Sequence, residues 1–584
     1  MYNLYFKYLM MINYQKRKNT ELFRDLNDKL LLSKQQNYIP IYQRFFTLNE
    51  SNYNGVNLNN QHYIYGIIKP TDDQYCYRCK IKNIDDQTTK VADAFVKIAP
   101  LLDPFKYLIG KYDIKNQALF SIPSVLSTNQ EVHEKILDVN NVAYVDGFFV
   151  YLNSMLLHKY NFIHSVDYYG SFLGIKSDFK VNVADDIDFL KKSDFFKKNK
   201  GLLFTIDDYE TTPETNVKPP ITILHNTSAG SVLSVDTITD ELFDDMFKES
   251  SKPLDIDAED VSEDKLEDVI LDFSDMAKIS SLKSDSSCSS RSSHTNENES
   301  VGQDDSDESE EKEKDSDYES GSDDGHGSGS SSSSVCGEDC INAIIPEFPV
   351  QVIFMEKCEN TLDDLILSDS LSNDEYISAF MQIIMILLTY QKVFSFTHND
   401  LHTNNVMYNK TKQDFIYYKY ANKIYKVPTY GKIYKIIDFG RSIYKVKGRV
   451  FCSDSFKQGG DAATQYNTEP YFDDKKPRLE PNYSFDLCRL ACSIYDYIID
   501  DMDDANSFKS IILDMCKDDN GINLLYKSNG VERYPDFKLY KMIARFVHNH
   551  TPQKQLERPE FKQYEFSGKT KCSVIDIDSY EVLA

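Results

Sequence analysis

The sequence predicts an α+β protein in two unlike parts, β-rich before residue 235 and mainly helical after residue 343, with a long disordered acidic insert between them. Three observations predict this. Strand-length apolar runs separated by turn residues follow one another between 62 and 98; a long apolar helical run spans Glu375 to Lys392; and residues 241–340 hold 31 Asp and Glu against 8 Lys and Arg. That segment carries −23 of a formal net charge of −27, so the acidity describes the insert and leaves the rest of the chain near neutral.

Residues 1–50 read as a helical N-terminal extension, with Thr20 capping apolar positions at helical spacing through Leu32. Met1 to Tyr14 is apolar, but Asn3, Lys7 and Asn13 interrupt it and no small-residue cleavage site follows, so an intracellular, cytoplasmic protein is expected. Residues 51–235 open with an antiparallel meander, His62–Ile68, Tyr75–Ile81 and Ala92–Ile98, joined by Pro70-Thr-Asp-Asp and Asp85-Asp-Gln. A helix from Val142 to His158 follows despite Gly147, then a strand from Ser165 to Ile175 and a short helix near Ile187–Phe196.

Residues 236–342 form the Ser-rich insert, too poor in apolar side chains to offset the entropy of ordering. A turn at Leu266, Val269, Ile270 and Phe273 is its one amphipathic stretch. Phosphates on its serines would add roughly −1.5 to −2 charges each, which suits a basic protein partner. Residues 343–584 begin with the strand Pro349–Glu356, a connector, a helix capped near Thr361 and the apolar helix Glu375–Lys392. The longest uninterrupted apolar run, Ile383–Leu388, is far short of a membrane span. No Lys/Arg-rich run of the nucleic-acid-binding kind occurs outside the insert, so neither nucleic acid nor membrane is an expected partner. Eleven scattered cysteines fit a reducing compartment, and Cys76/Cys79 and Cys336/Cys340 each lack a second pair at zinc-site spacing.

The chemistry lies in two stretches, Phe396-Thr-His-Asn-Asp-Leu-His-Thr-Asn-Asn-Val-Met407 and Ile436-Ile-Asp-Phe-Gly440. A carboxylate, Asp400, stands five residues before an amide, Asn405, and a second carboxylate, Asp438, follows an apolar strand and precedes a glycine that lets the chain turn. In this order, after strands containing Val96-Lys-Ile98, a helix, a connector and an apolar helix, these stretches resemble the catalytic loop and metal motif of protein kinases. With Ser484–Tyr495 and Gly459-Gly-Asp-Ala-Ala-Thr-Gln-Tyr466, they are similar more narrowly to the kinase-like proteins of large DNA viruses.

The resemblance implies a bilobal protein-kinase-like fold and ATP- and Mg²⁺-dependent phosphoryl transfer to Ser/Thr hydroxyls of a protein substrate. Asp400 would be the base or hydroxyl-positioning group and Asn405 and Asp438 the metal ligands. Lys97 would hold phosphates, with Glu356 and Cys358 of the connector as further nucleotide contacts. Asp486 would brace the loop, and Glu480 would pair with Arg558.

The chain also departs from the family. Lys69-Pro-Thr-Asp-Asp73 replaces the glycine-rich phosphate loop, and Phe95 stands where a small residue is usual. Asn153 falls where the helix Glu that pairs with the lysine is expected, with Asp146 the nearest acid, two turns earlier. Asn399 replaces the Arg that clamps a loop phosphate, and His402 replaces a Lys. A pseudokinase scaffold and a small-molecule kinase of the aminoglycoside or choline type are therefore the alternatives to an active protein kinase.

Overall fold

Strand pairing among the described residues gives one seven-stranded antiparallel sheet and four smaller sheets, and two long helices, Val142–Tyr160 and Asn373–Phe394, are largely buried. The computed structural model describes residues 11–184, 186–207, 341–499, 506–535 and 537–584. The acidic insert up to residue 340, its amphipathic turn and the Cys336/Cys340 pair lie outside these residues. The described residues form a mixed α+β structure in which the sheet precedes the connector at Lys357 and most of the helices follow it.

The sheet has seven strands. Six follow one another in space in the order Leu32–Gln36, Tyr168–Asn182, Asn342–Glu356, Thr89–Pro100, Cys76–Asn83 and His62–Pro70; the seventh, Thr205–Ile206, pairs with the start of Asn342–Glu356. All its pairs are antiparallel, so the last three strands of that order are the expected meander. Asn342, the final residue assigned to the insert, already belongs to a strand. Residues 1–50 are more than a helical extension. The helix Thr20–Leu30 includes Thr20 and has Asn19 at its N-cap position without a side-chain cap bond, and the chain then contributes Leu32–Gln36 as an edge strand of the sheet. Two short helices, Ile187–Leu190 and Asp194–Asn199, replace the single one expected there.

The helix Val142–Tyr160 lies against Tyr168–Asn182 and Asn342–Glu356. Gly147 is explained by that packing: a β-carbon there would run into the side-chain amide of Gln351 and approach Ile353 Cδ1 to 3.1 Å. The helix is buried nearly all round, and its Phe149 ring is a hub. It meets Phe396 at 4.5 Å, Phe439 at 4.6 Å, Tyr444 at 4.8 Å, Phe394 at 5.3 Å and Tyr390 at 5.5 Å. Aromatic pairs at such separations add about 0.5–1.5 kcal/mol each beyond the area they bury.

The helix Asn373–Phe394 starts in a capping box, with Ser372 and Glu375 satisfying each other's backbone N–H. By length and composition it could cross a membrane, yet 89% of its most apolar window is buried inside the protein, as expected of a core helix apolar on every side. Beyond it the antiparallel strand pair Val406–Lys410 with Lys432–Ile436 carries the loop residues at one end. The helices Phe485–Ile498, Ser507–Met515 and Phe537–Phe546 follow, together with a sheet of Phe415–Tyr420, Lys423–Pro428 and Val574–Asp576 and the strand pair Ile443–Val446 with Arg449–Cys452.

Because Phe149 touches both the core helix and the 438–440 turn, Phe149→Ala is expected to lower unfolding free energy by about 3–5 kcal/mol in denaturant titrations. Leu367→Ala, at a side chain 50% exposed, is expected to change it by less than about 0.5 kcal/mol.

Candidate active site

Three elements meet at one ammonium. Lys97, on the strand Thr89–Pro100, places Nζ 2.8 Å from Asp146 Oδ2 and 3.0 Å from Asp438 Oδ1. The backbone N–H of Phe439 donates to Asp146 Oδ1 at 2.8 Å, so one helix carboxylate holds both the lysine and the turn that follows Asp438. This corrects the expectation for Asn153, whose side-chain oxygen accepts the Tyr390 hydroxyl at 2.8 Å. Seven residues are about two helical turns, so Asp146 and Asn153 share a face, but Asp146 lies at the end nearer the 438 turn. Burial alone would lower the Lys97 pKa, yet the two carboxylates raise it above its ordinary value. Burial pushes Asp146 up, against the pull of Lys97 and with the added repulsion of Asp438. Burial also opposes ionisation of Asp438, but Lys97 outweighs it and holds that carboxyl below its usual range.

The loop 396–407 hangs on Asp486. Its two carboxylate oxygens accept the backbone N–H groups of His398 and Asn399, both at 2.9 Å, which is the bracing role expected of it. His398 places Nε2 2.9 Å from the Ile437 carbonyl oxygen, joining the loop to the chain that leads into Asp438. Asn399 adopts a left-handed backbone (φ 63°) and is fully buried. Its amide donates to the Arg441 carbonyl oxygen at 3.0 Å and its oxygen accepts the Tyr466 hydroxyl at 2.8 Å. It therefore ties the loop to the 441–466 segment with neutral hydrogen bonds.

Asp400 has partners that its own motif does not name. Oδ1 accepts the Tyr540 hydroxyl at 2.7 Å, Oδ2 lies 3.7 Å from the Arg441 guanidinium, and Arg489 adds charge nearby. Burial would push this carboxyl up, but Arg441, His402, Arg489 and the Tyr540 hydroxyl together hold it well below the usual range. Tyr540 comes from the helix Phe537–Phe546 and Arg489 from Phe485–Ile498. No local pattern announces them, since they meet Asp400 across 140 and 89 residues of chain.

Asn405 is the last residue of a short 3₁₀ turn, Thr403–Asn405. Its amide nitrogen donates to the Asp400 carbonyl oxygen at 2.9 Å and lies 3.0 Å from His402 Nε2, which leaves Oδ1 as the atom able to ligate a cation. The Ile437 N–H donates to the Asn405 carbonyl oxygen at 3.0 Å, so Asn405 and Asp438 leave neighbouring strands at the same end. An amide oxygen and a carboxylate are hard donors of the type Mg²⁺ takes.

The connector is less open than its sequence suggests. Glu356 accepts Lys435 Nζ at 2.9 Å and the Asp167 N–H at 3.1 Å on Oε2, and the Asn409 amide at 2.7 Å on Oε1. Its side chain is thus structural, and its backbone N–H is likewise taken, by the Asp167 carbonyl oxygen at 2.8 Å. Cys358 is buried, with its thiol pushed up to about 12 by burial. Lys357 pairs with Asp73, so one of the two acids in the 69–73 turn is neutralised from the connector. The expected Glu480–Arg558 pair does not form: Glu480 binds Arg478 at 2.6 Å and Thr468, while Arg558 binds Asp514 at 2.6 Å.

A scan against protein-family models matches none. The chain is 30% identical over 194 residues to Uncharacterized protein 098R of Invertebrate iridescent virus 6, covering 32% of this chain and 29% of that protein. The match therefore spans under a third of the viral relative's length.

His402 gives this site a measurable acid response. Burial first, then Arg489 and His398, lower its pKa to about 4 against the pull of Asp400 and Asp438, and a neutral Nε2 can accept the Asn405 amide. Between pH 6.5 and 4 the unfolded chain therefore binds the extra proton, and stability present above pH 6.5 is lost as pH falls. Denaturant midpoints measured across that window are expected to fall less steeply in His402→Gln than in the wild type. A residual slope should remain from His164, buried and also lowered to about 4.

Proposed function

We propose that this chain is an atypical protein kinase that transfers the terminal phosphoryl group of ATP to Ser/Thr hydroxyls of protein substrates. In this reading the sheet through Glu356 with its packed helix Val142–Tyr160 is the small lobe of a bilobal kinase-like fold, Lys357–Cys358 the connector, and the residues after it the larger lobe. The observation that carries it is the convergence of Asp146 and Asp438 on the Lys97 ammonium, beside the loop that Asp486 braces at His398 and Asn399 and that carries Asp400 and Asn405. The viral relative is consistent with a place in host cytoplasm or virion.

The donor set fits the group the reaction requires. Asp438 and Asn405 Oδ1 would hold Mg²⁺, and Lys97 would meet phosphate oxygens; the metal nucleotide supplies the transferable phosphoryl and neutralises its developing charge. Asp400 would receive the acceptor hydroxyl. Its depressed pKa makes it a weak base, so it acts chiefly by orienting that hydroxyl and takes the proton late, once the oxygen has gained its bond. Arg441 and Arg489 keep it ionised. Asp146 positions Lys97 and the 438 turn.

The segment after Asp438 is anchored by hydrogen bonds and ring stacking. Asp454 Oδ1 accepts the Val142 N–H at 3.0 Å, Arg44 donates to the Val450 carbonyl oxygen at 2.7 Å, and Phe451 stacks on Phe45 and Phe148 at 5.6 Å each. Activity should therefore survive phosphatase treatment. A second reading, a kinase-shaped scaffold without turnover, is favoured by the Tyr540 hydroxyl on Asp400, where an acceptor hydroxyl would bind.

Labelled ATP with Mg²⁺ and a mixture of basic and acidic protein substrates separates the two. Incorporation is expected in the wild type, loss of more than about 100-fold in Asp400→Asn, and a rise of about three- to tenfold in Tyr540→Phe, the worth of one hydrogen bond. No incorporation by either the wild type or Tyr540→Phe would support the scaffold. Incorporation unchanged in Asp400→Asn would remove the enzyme assignment.

A further inference from the structure

A second cluster of ligating side chains lies away from Lys97 and Asp400. His62, on the outermost strand of the meander, places Nδ1 2.7 Å from Asp167 Oδ2. His158, in the last turn of Val142–Tyr160, places Nε2 2.7 Å from Asp167 Oδ1. The three donor atoms lie within 4.8 Å of one another. We propose that His62, His158 and Asp167 form a binding site for a divalent first-row transition ion of the zinc class, with water completing the coordination.

The chemistry and geometry both suit such an ion. Two imidazoles and one carboxylate are a borderline set preferred by Zn²⁺ and its neighbours over Mg²⁺ and Ca²⁺, which favour all-oxygen ligands. Donors bound at about 2.0–2.2 Å around a tetrahedral ion stand roughly 3.3–3.5 Å apart, so each imidazole needs to move by about 1 Å or less. Both imidazoles are 21% exposed, which gives them room to turn and gives an ion a path from solvent, while the carboxylate is only 7% exposed and fixed.

The carboxylate is also oriented as metal ligands usually are. The Ser154 hydroxyl donates to Asp167 Oδ1 at 3.0 Å, and Ser154 in turn accepts the Tyr168 N–H at 3.0 Å. The Asp167 backbone is clamped to the connector strand by the Glu356 N–H on its carbonyl at 2.8 Å and by its own N–H on Glu356 Oε2. The C-terminal end of a 19-residue helix is the negative end of its dipole, which favours a cation at His158. An ion here would join the meander, the helix and the strand after it, anchoring the end of the helix opposite Asp146. Nothing in this inference rests on the kinase reading.

The test uses the full-length protein stripped with a chelator and titrated with Zn²⁺ alone, then Co²⁺ alone, with Mg²⁺ as a separate arm. The expected result is Zn²⁺ binding whose affinity falls by more than about tenfold in both His62→Ala and His158→Ala and is unchanged in Asp514→Asn. The Co²⁺ form should show the visible bands of a nitrogen and oxygen site without thiolate charge transfer, a readout available in the wild type even if a variant fails to fold. No saturable Zn²⁺ binding, binding unaffected by both histidine substitutions, or a Co²⁺ spectrum with thiolate charge transfer alone would overturn the site. In those cases the two imidazoles only share the carboxylate by hydrogen bonding, and any metal found belongs to cysteines.

Discussion

The carboxylate of Asp146 is the constraint on which the rest of the arrangement depends. It takes the Lys97 ammonium from the sheet and the Phe439 N–H from the turn after Asp438, and it sits on a helix packed between the two. A buried carboxylate is tolerable only if paired and hydrogen-bonded, and removing one partner of such a pair costs about 3–5 kcal/mol. The sheet, the helix and the 438 turn are therefore coupled: none can shift without stranding a charge. The Phe439 ring then carries the same coupling into the core through Phe149 and Phe396.

Two carboxylates of the site are held for different tasks by different neighbours. Asp438 shares the single ammonium of Lys97 with Asp146, so it has a cation to exchange for another when a ligand arrives. Asp400 lies among Arg441, Arg489 and Tyr540, a set that keeps it charged and fixes its direction. In the reading proposed here this separates metal holding from hydroxyl orientation, and it makes the Tyr540 hydroxyl the group an acceptor must displace.

Much of this was legible in the sequence, and the parts that were not have a common cause. The meander and the core helix follow from periodicity, which is local, and the bracing role of Asp486 is what the resemblance to protein kinases implies. Lys97 could be placed because its strand could. Its helix partner could not be fixed by counting, because Asn153 and Asp146 share a face and only the docking of the helix on the 438 turn chooses between them. Tyr540, Arg441 and Arg489 reach Asp400 by tertiary packing, as do His62 and Asp167 in meeting His158. Glu480 and Arg558 illustrate the reverse error: each found a closer partner, Arg478 and Asp514, once the chain folded.

The proposed function requires Lys97, Asn405 and Asp438 to act as one metal-nucleotide site. Calorimetric titration of a non-hydrolysable ATP analogue, with and without Mg²⁺, into the wild type and Asp438→Asn tests it most directly. Binding to the wild type is expected to strengthen with Mg²⁺, and Asp438→Asn is expected to lose that dependence. No binding to the wild type, or equal Mg²⁺ dependence in both proteins, would contradict it.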